Sequence, residues 1–228
     1  MEGELGLAFG ERHIRCETFW MCRCSLPLIA ICQLWALQPH SVALGTTDCM
    51  ANIYCTKKLE KVVGKALISS EPRTDQRLGG WNANVIYLNK RKCLFLMNDL
   101  SYYSLLFLDI LKKDILNFQE LFYQRLIEQL DHDSVNFPVS CSSLIMNECE
   151  PLFLPTNNNR RVLGTMNELR YIIDYWFEMD YYGDLNFVNL PELNHRLTNE
   201  YVGALRTGKH YYGNPIEEMR KQIEKVCA

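Results

Sequence analysis

Two adjacent arginines, Arg160 and Arg161, stand between a polar segment and an apolar helical pattern. A helix N-terminus carries partial positive charge, so arginines there are unfavourable unless a negative group lies close by. That group is either a phosphate or carboxylate ligand, or an internal acid such as Asp99 or Glu168. We favour the internal ion pair and keep the anionic ligand as the alternative.

A set of six side chains is predicted to bind a ligand, and it consists of Trp81, Asn84, Lys92, Asn98, Arg160 and Asn167. The first four lie on or beside strands that we expect to pair, and the last two lie on a later helix. Amide side chains suit recognition of a polar ligand or an exposed base, on which an indole can stack. The competing interpretation, which we favour, is that the asparagines end strands and the tryptophan fills the core.

Patterns typical of catalytic and metal sites are weak in this chain. After residue 50 the histidines are His132, His195 and His210, and none has a metal-ligand spacing with cysteine or a carboxylate. The run Asp131-His132-Asp133 is interpreted as a solvated helix end. The chain has neither a glycine-rich phosphate loop nor a G-x-S-x-G motif. We therefore predict no catalytic residue, no metal and no cofactor, and leave open whether the protein is an enzyme.

Cysteine usage and charge set limits on the cellular setting. The chain has 10 cysteines, and those after residue 50 are spread singly. This arrangement is not a disulfide framework and indicates a reduced, cytoplasmic setting. The apolar run at 26–37 is too short and too interrupted to span a membrane, so no membrane partner is expected. A net charge of −3 gives no general attraction to nucleic acid.

Strands that could position the six side chains follow one another closely. Residues 52–55 form a short strand, and Thr56 caps a helix whose apolar period runs to Leu67. The β-rich runs 81–88 and 92–97, joined by Asn89-Lys90-Arg91, predict a hairpin, and 102–110 supplies a third strand. Short links between these three strands predict an antiparallel sheet.

The later part of the chain is mainly helical. Asn117 starts one helix, and the longest apolar helix covers 162–177, beginning either at Arg160 or at a capping box from Thr165. Between these helices, 131–160 is interpreted as a loop with a short strand near 143–146. A short helix follows near 191–201, and the final helix begins at Asn214-Pro215.

Residues 1–49 differ from the rest because their apolar residues follow no sustained period. We interpret this segment as a spurious or disordered extension, with Met50 as the initiator; a targeting signal and a genuine appended segment are the alternatives. Residues 50–228 contain neither a repeat nor a long linker. We expect them to form a single α+β domain, a small antiparallel sheet packed by several helices.

Several motifs in order resemble a known family. They are Cys55-Thr56-Lys57-Lys58-Leu59, Trp81-x-Ala83-Asn84, Arg91-Lys92-Cys93-Leu94, Asn98, and the segment from Asn158 to Glu168 that contains Gly164 and Asn167. The chain resembles the uncharacterised bacterial family of domain of unknown function 6933 over residues 50 to about 180. The resemblance implies a start near the C-T-K-K motif. It transfers no activity and no catalytic residue.

Three functions remain as hypotheses. The first is a non-catalytic binding or interaction module, favoured by the lack of catalytic motifs and by the tyrosine-rich stretch 171–182; its sign would be an exposed aromatic patch. The second is a nucleic-acid-associated protein with a basic face made of lysines and arginines near 57–65, 90–92 and 160–161. The third is an enzyme of unfamiliar type acting on an anionic substrate through Arg160, Lys92 and Asn167.

Overall fold

A computed structural model of the protein describes residues 51–74, 76–148, 150–200, 202, 205 and 213–227. These residues belong to one compact unit, Thr46–Ala228. The interpretation of residues 1–49 and the placement of His210 lie outside the described residues. Within the described part of the chain, no helix is both long enough and apolar enough to cross a membrane.

Five strands form one mixed sheet. They are β1 (Ala51–Cys55), β2 (Trp81–Leu88), β3 (Arg91–Asn98), β4 (Ser104–Phe107) and β5 (Pro151–Pro155), in the order β4-β3-β2-β1-β5. As predicted, β3 is antiparallel to both β2 and β4. β1 is parallel to both β2 and β5, so the sheet is mixed rather than purely antiparallel. The long connection between β1 and β2 allows this, because parallel neighbours need a crossover.

Seven helices are described, in addition to three short 3-10 turns. They are α1 (Lys57–Val63), α2 (Lys112–Leu116), α3 (Phe118–His132), α4 (Ser142–Glu148), α5 (Arg160–Asp180), α6 (Leu190–Asn199) and α7 (Pro215–Cys227). The start of α5 at Arg160 is fixed by Asn159, whose Oδ1 accepts a hydrogen bond from the amide of Val162. Asn214 Oδ1 likewise accepts from the amide of Ile216 at 2.8 Å, which confirms the predicted start of the last helix.

Two segments differ from the sequence prediction. The first helix ends at Val63 because Gly64 has a φ of +89°, and Lys65–Leu67 form a 3-10 turn. The region around 131–160, interpreted as a loop with a strand at 143–146, instead contains α4 and then β5. Prolines at both ends of β5 suit its position at the sheet edge, where one side of the strand needs no amide donors.

Helices cover both faces of the mixed sheet. Because strand residues alternate between faces, Ile53, Trp81 and Leu96 pack on the side of α3 and α7. Phe95 and Leu106 pack on the opposite side, against α5 and α6. The fold class predicted from the sequence, α+β with a sheet packed by several helices, is therefore confirmed.

Helix α6 lies at the β4 edge of the sheet and also contacts α3. Its Asn194 side chain pairs with the strand: Oδ1 accepts from the amide of Leu106 at 2.8 Å, and Nδ2 donates to the Leu106 carbonyl at 3.5 Å. At the other edge, the amide of Ser69 donates to the carbonyl of Phe153 at 2.8 Å. The C-terminus of α3 and the middle of α6 thus meet beside β4, where the two helical layers join.

Candidate functional site

The structure brings Trp81 and Asn98 together as cross-strand neighbours, and both are buried. The indole packs edge-on against Phe122 with ring centroids 5.2 Å apart. Asn98 Oδ1 accepts hydrogen bonds from the amides of Leu100 and Ser101 and from the Ser101 hydroxyl, and its Nδ2 donates to the carbonyl of Leu78. Trp81 therefore lies in the core and Asn98 stands at the end of β3, which are the structural roles that the favoured interpretation gives them.

The other four residues of the predicted set lie apart from this pair. Asn84 faces the opposite side of the sheet, where its Oδ1 accepts from the Thr56 hydroxyl at 2.8 Å. Lys92 is exposed at the far end of β3 from Asn98. Arg160 and Asn167 are exposed on α5. The six residues, all in the described part of the chain, do not meet around one pocket, and their role in binding stays a prediction.

Arg160 and Arg161 begin α5 without an acidic residue in its first turn. Among the ion pairs between described residues, none includes either arginine, so the expected pair with Asp99 or Glu168 is not formed there. Burial raises the pKa of Tyr102, and the nearby Arg161 guanidinium opposes that rise. Tyr102 follows the C-terminal end of β3, and Arg161 is near it, whereas Arg91 is at the N-terminal end of the same strand. These basic residues therefore lie at two separate ends of the sheet.

The outer side of α5 carries a continuous row of large exposed side chains. We name this row the aromatic face of α5 and include the adjacent Phe187; its members, Tyr171, Tyr175, Met179, Tyr182 and Phe187, are 60–82% exposed. The helical members recur every three or four residues, so they share one side of the helix. Tyr182 and Phe187 are in edge-to-face contact at 6.4 Å. The aromatic patch expected of an interaction module is thus present.

A second group of side chains converges where α3 meets α6. His132 is the last residue of α3, Asp133 follows it, and His195 lies in α6. Asp133 Oδ1 is 2.7 Å from His195 Nδ1 and 3.6 Å from His132 Nδ1, and the two rings are in edge-to-face contact at 5.4 Å. We call these three residues the His–Asp–His centre.

Asp133 is buried and its carboxylate is surrounded by donors. Oδ2 accepts from the Tyr103 hydroxyl at 2.5 Å; the Thr198 hydroxyl is 3.3 Å from Oδ2 but closer, at 2.9 Å, to the Asn194 carbonyl, to which it can donate its single proton. Oδ1 accepts from Gln129 Nε2 at 3.0 Å. Burial, together with the Asp133 carboxylate, raises the pKa of Tyr103 well above its usual value, so this phenol remains a donor at neutral pH. The carboxylate is therefore held in one orientation by several side chains.

The centre is open on one side. The Asp133 side chain is fully buried, whereas those of His132 and His195 are each 34% exposed. An imidazole that uses one nitrogen to face a carboxylate offers the other for proton transfer, and imidazole and carboxylate atoms together suit a metal ion. A buried ion-pair network that serves only stability is the third chemical possibility for such a group.

The sequence predicts a solvated helix end at Asp131-His132-Asp133, whereas the structure places the Asp133 side chain in the interior. His195 is 62 residues away from Asp133 along the chain, so no local spacing could connect them. The sequence contains only a weak signal of the centre. Gln129 in α3 is four residues before Asp133, and His195 in α6 is three residues before Thr198, so the side chains of each pair can lie on the same side of the helix. The signal becomes meaningful once the two helices are known to touch.

Comparison with known proteins agrees with the resemblance seen in the motifs. The family described as Domain of unknown function (DUF6933) matches residues 52–218, which is well over half of the chain. No curated protein and no solved structure matches the chain. The matched residues include the five strands except the first residue of β1, the aromatic face of α5 and the His–Asp–His centre. The chain therefore belongs to the family of domain of unknown function DUF6933.

Proposed function

We propose that the protein is a non-catalytic interaction module, that the aromatic face of α5 is its binding surface, and that its partner is a second copy of the chain. The exposure of five large side chains, three on α5 and two in the segment that follows it, supports the proposal. Covering them would bury on the order of 700 Å² per chain, at about 200 Å² for each side chain. That area approaches the roughly 800 Å² per partner of a standard protein interface.

Charge at the two ends of α5 favours a second copy over other partners. The first turn carries Arg160 and Arg161 without an acid, and the last turn has no basic residue. The arginines at the N-terminus and the exposed Glu178 near the C-terminus both oppose the helix dipole. An antiparallel pair of α5 helices would bring the arginines of one copy beside Glu178 of the other. A two-fold contact of this kind compensates both ends at once.

Gly164 also supports the pairing of α5 helices from two copies of the chain. It lies on the exposed side of α5, and a Cβ built there would meet nothing within 4 Å, so packing within the described chain does not require glycine. Glycine inside a helix costs about 0.5–1 kcal/mol relative to alanine. If the arginines of one copy face Glu178 of the other, position 164 lies opposite Tyr175. A missing side chain at 164 would let the two helices approach closely at that ring.

Sedimentation velocity on the full chain over a range of concentrations tests the proposal. We expect the wild type to form a dimer and the Tyr171→Gln/Tyr175→Gln double variant to be monomeric, because the change removes the centre of the apolar surface. Tyr87→Gln is the matched control, since Tyr87 is an exposed tyrosine on β2 and lies outside α5. It should dimerise like the wild type.

Charge reversal tests the antiparallel arrangement separately. Arg161→Glu should weaken the dimer about tenfold, as expected for roughly 1.4 kcal/mol of repulsion at an interface. Adding Glu178→Arg in the same chain should restore it. A wild type that remains monomeric at its highest soluble concentration contradicts the proposal. So does a dimer that neither the tyrosine nor the charge variants affect.

We also propose a cytoplasmic location. Cys55, Cys93 and Cys141 are buried free thiols, and burial raises the pKa of Cys55 to about 12. Thiols that are kept free and unreactive fit a reducing compartment. Fractionation of cells that express the tagged chain should recover it with cytoplasmic markers, and recovery with an exported marker would contradict this location.

A further inference from the structure

We infer that the His–Asp–His centre is a binding site for one divalent transition-metal ion, with Zn²⁺ as the expected occupant. Each of the three residues offers one ligand atom, and these atoms lie within 4.8 Å of one another. Two imidazoles and one carboxylate suit Zn²⁺ and related ions better than Mg²⁺ or Ca²⁺, which prefer oxygen ligands alone. Three protein ligands leave a coordination position open on the exposed side.

The measured distances require small adjustments. Ligand atoms that share a zinc ion at about 2.1 Å lie roughly 3–3.5 Å from one another. His195 Nδ1 is slightly closer than that to Asp133 Oδ1, at 2.7 Å, and His132 Nδ1 is slightly farther, at 3.6 Å. Both rings are partly exposed, so they can turn without displacing the core.

The surroundings of Asp133 resemble those that support metal ligands in general. Metal-binding carboxylates are usually held by further hydrogen bonds, which fix their direction. Here Tyr103 and Gln129 supply such bonds from two separate parts of the chain. The carboxylate is thereby oriented toward the two histidines before any ion is bound.

Electrostatics at the centre also favours a cation. The last turn of α3 ends there, and a helix C-terminus carries partial negative charge. Glu192 Oε2 lies 3.9 Å from His132 Nε2 and adds a second carboxylate at the open side. Coordination through His195 Nδ1 requires the tautomer of the neutral ring that carries its proton on Nε2.

Titration of the full chain with Zn²⁺ and Co²⁺ after removal of bound metal tests the inference. We expect one ion per chain at this site. Bound Co²⁺ should show the visible absorption of nitrogen and oxygen ligands, without the near-ultraviolet band of a thiolate complex. This spectrum distinguishes the centre from the 10 cysteines of the chain, which are the other possible ligands.

His132→Gln and His195→Gln should each weaken Zn²⁺ binding at least about a hundredfold. Removal of a group that only supports a metal ligand already costs about 10–100-fold in affinity, and removal of a ligand itself should cost no less. Glu128→Gln, an exposed change one turn earlier on α3, is the control and should bind like the wild type. With a chelator present, His132→Gln and the wild type should have the same midpoint of thermal unfolding. This result would show that the substitution leaves the fold intact. A wild type without stoichiometric binding, or histidine variants that bind as tightly as the wild type, would overturn the inference.

Discussion

Asp133 shows at the scale of one residue how this fold tolerates an interior carboxylate. Moving a charge out of water costs several kcal/mol unless hydrogen bonds and an opposite charge compensate it. Its two oxygens accept from the Tyr103 hydroxyl and from Gln129, and one of them also faces His195. Each donor should therefore contribute more to stability than an ordinary surface hydrogen bond does.

Tyr103→Phe tests this contribution. The change leaves the ring in place and removes the donor that is 2.5 Å from Asp133. We expect the free energy of unfolding at pH 7 to fall by about 1.5–3 kcal/mol, the range for a hydrogen bond to a charged group. Urea denaturation measures it. Tyr87→Phe, at an exposed tyrosine, should change stability by less than about 0.5 kcal/mol.

The same phenol predicts a pH dependence. Its pKa in the folded protein is raised, whereas in the unfolded chain it is about 10. Its contribution is complete below the unfolded value and declines above it, because the unfolded state then releases a proton that the folded state keeps. Between pH 10 and 11, wild-type stability should fall more steeply than that of Tyr103→Phe, by up to about 1.4 kcal/mol per pH unit. Equal slopes would contradict the assignment.

Residues that depend on tertiary contacts were the hardest to predict from sequence. The alternative roles given to Trp81 and Asn98, filling the core and ending a strand, agree with their burial and hydrogen bonds, because a hairpin pairs them locally. His195 gave no comparable local signal. Its relation to Asp133 exists because α6 packs against the end of α3, and hydrophobic periods do not specify which helices touch.

At the scale of elements, the turn between β2 and β3 is tighter than its sequence suggested. Leu88 pairs with Arg91, so the loop has two residues rather than the three proposed from Asn89-Lys90-Arg91. Asn89 and Lys90 have φ of 45° and 62°, which is the left-handed conformation of a type I′ turn. Asparagine tolerates it, whereas lysine is strained there.

Lys90→Gly should therefore stabilise the protein. Glycine adopts positive φ without a steric cost, and Asn-Gly is the preferred pair for this turn. We expect the free energy of unfolding to rise by about 0.5–1 kcal/mol, because relief of a left-handed penalty of roughly 1–2 kcal/mol exceeds the extra unfolded-state entropy of glycine, about 0.4–1 kcal/mol. Lys90→Ala is the control, because it removes the same charge but keeps a side chain at positive φ. It separates the effect of losing the charge from the effect of relieving the backbone strain. A glycine variant no more stable than the alanine variant would mean that the strain is absent.

Signals at helix ends were informative but uneven. Asn214 was predicted correctly, the start of α5 was left open between Arg160 and Thr165, and Thr56 and Asn117 precede their helices without a side-chain capping hydrogen bond. Asn159 and Asn214 both cap the helices expected after them, since their side chains reach the first free amides. The segment containing α4 and β5 was not recognised because Pro151 and Pro155 suggested a loop. Prolines are tolerated in β5 because of its edge position, and the sequence alone does not reveal which strand is at an edge.

For the whole molecule, α6 connects the two helical layers. It packs with α5 in one hydrophobic cluster, and it contacts α3, which belongs to the other. The His–Asp–His centre lies at this junction, so an ion there would link the layers. Ligands that bind the folded state alone stabilise it in proportion to the logarithm of their concentration.

Zinc at a hundredfold excess over its dissociation constant should raise the free energy of unfolding by about 2.7 kcal/mol. The gain should be present in the wild type and in the Tyr171→Gln/Tyr175→Gln variant, and absent in His132→Gln. Thermal denaturation with and without chelator measures it. A loss of the zinc effect in the tyrosine variant would show that the metal site and the aromatic face of α5 are not independent.

Both edges of the sheet are occupied by groups of the chain itself. The Asn194 amide takes the place of a strand beside Leu106, and Ile68 and Ser69 lie against β5. An open edge invites backbone pairing with another molecule, the first step toward fibrils. At these positions the backbone groups already have partners within the chain. If the proposed dimer forms through the aromatic face of α5, its contacts are between side chains and leave the covered positions of the sheet edges as they are, so dimerisation would not extend the sheet.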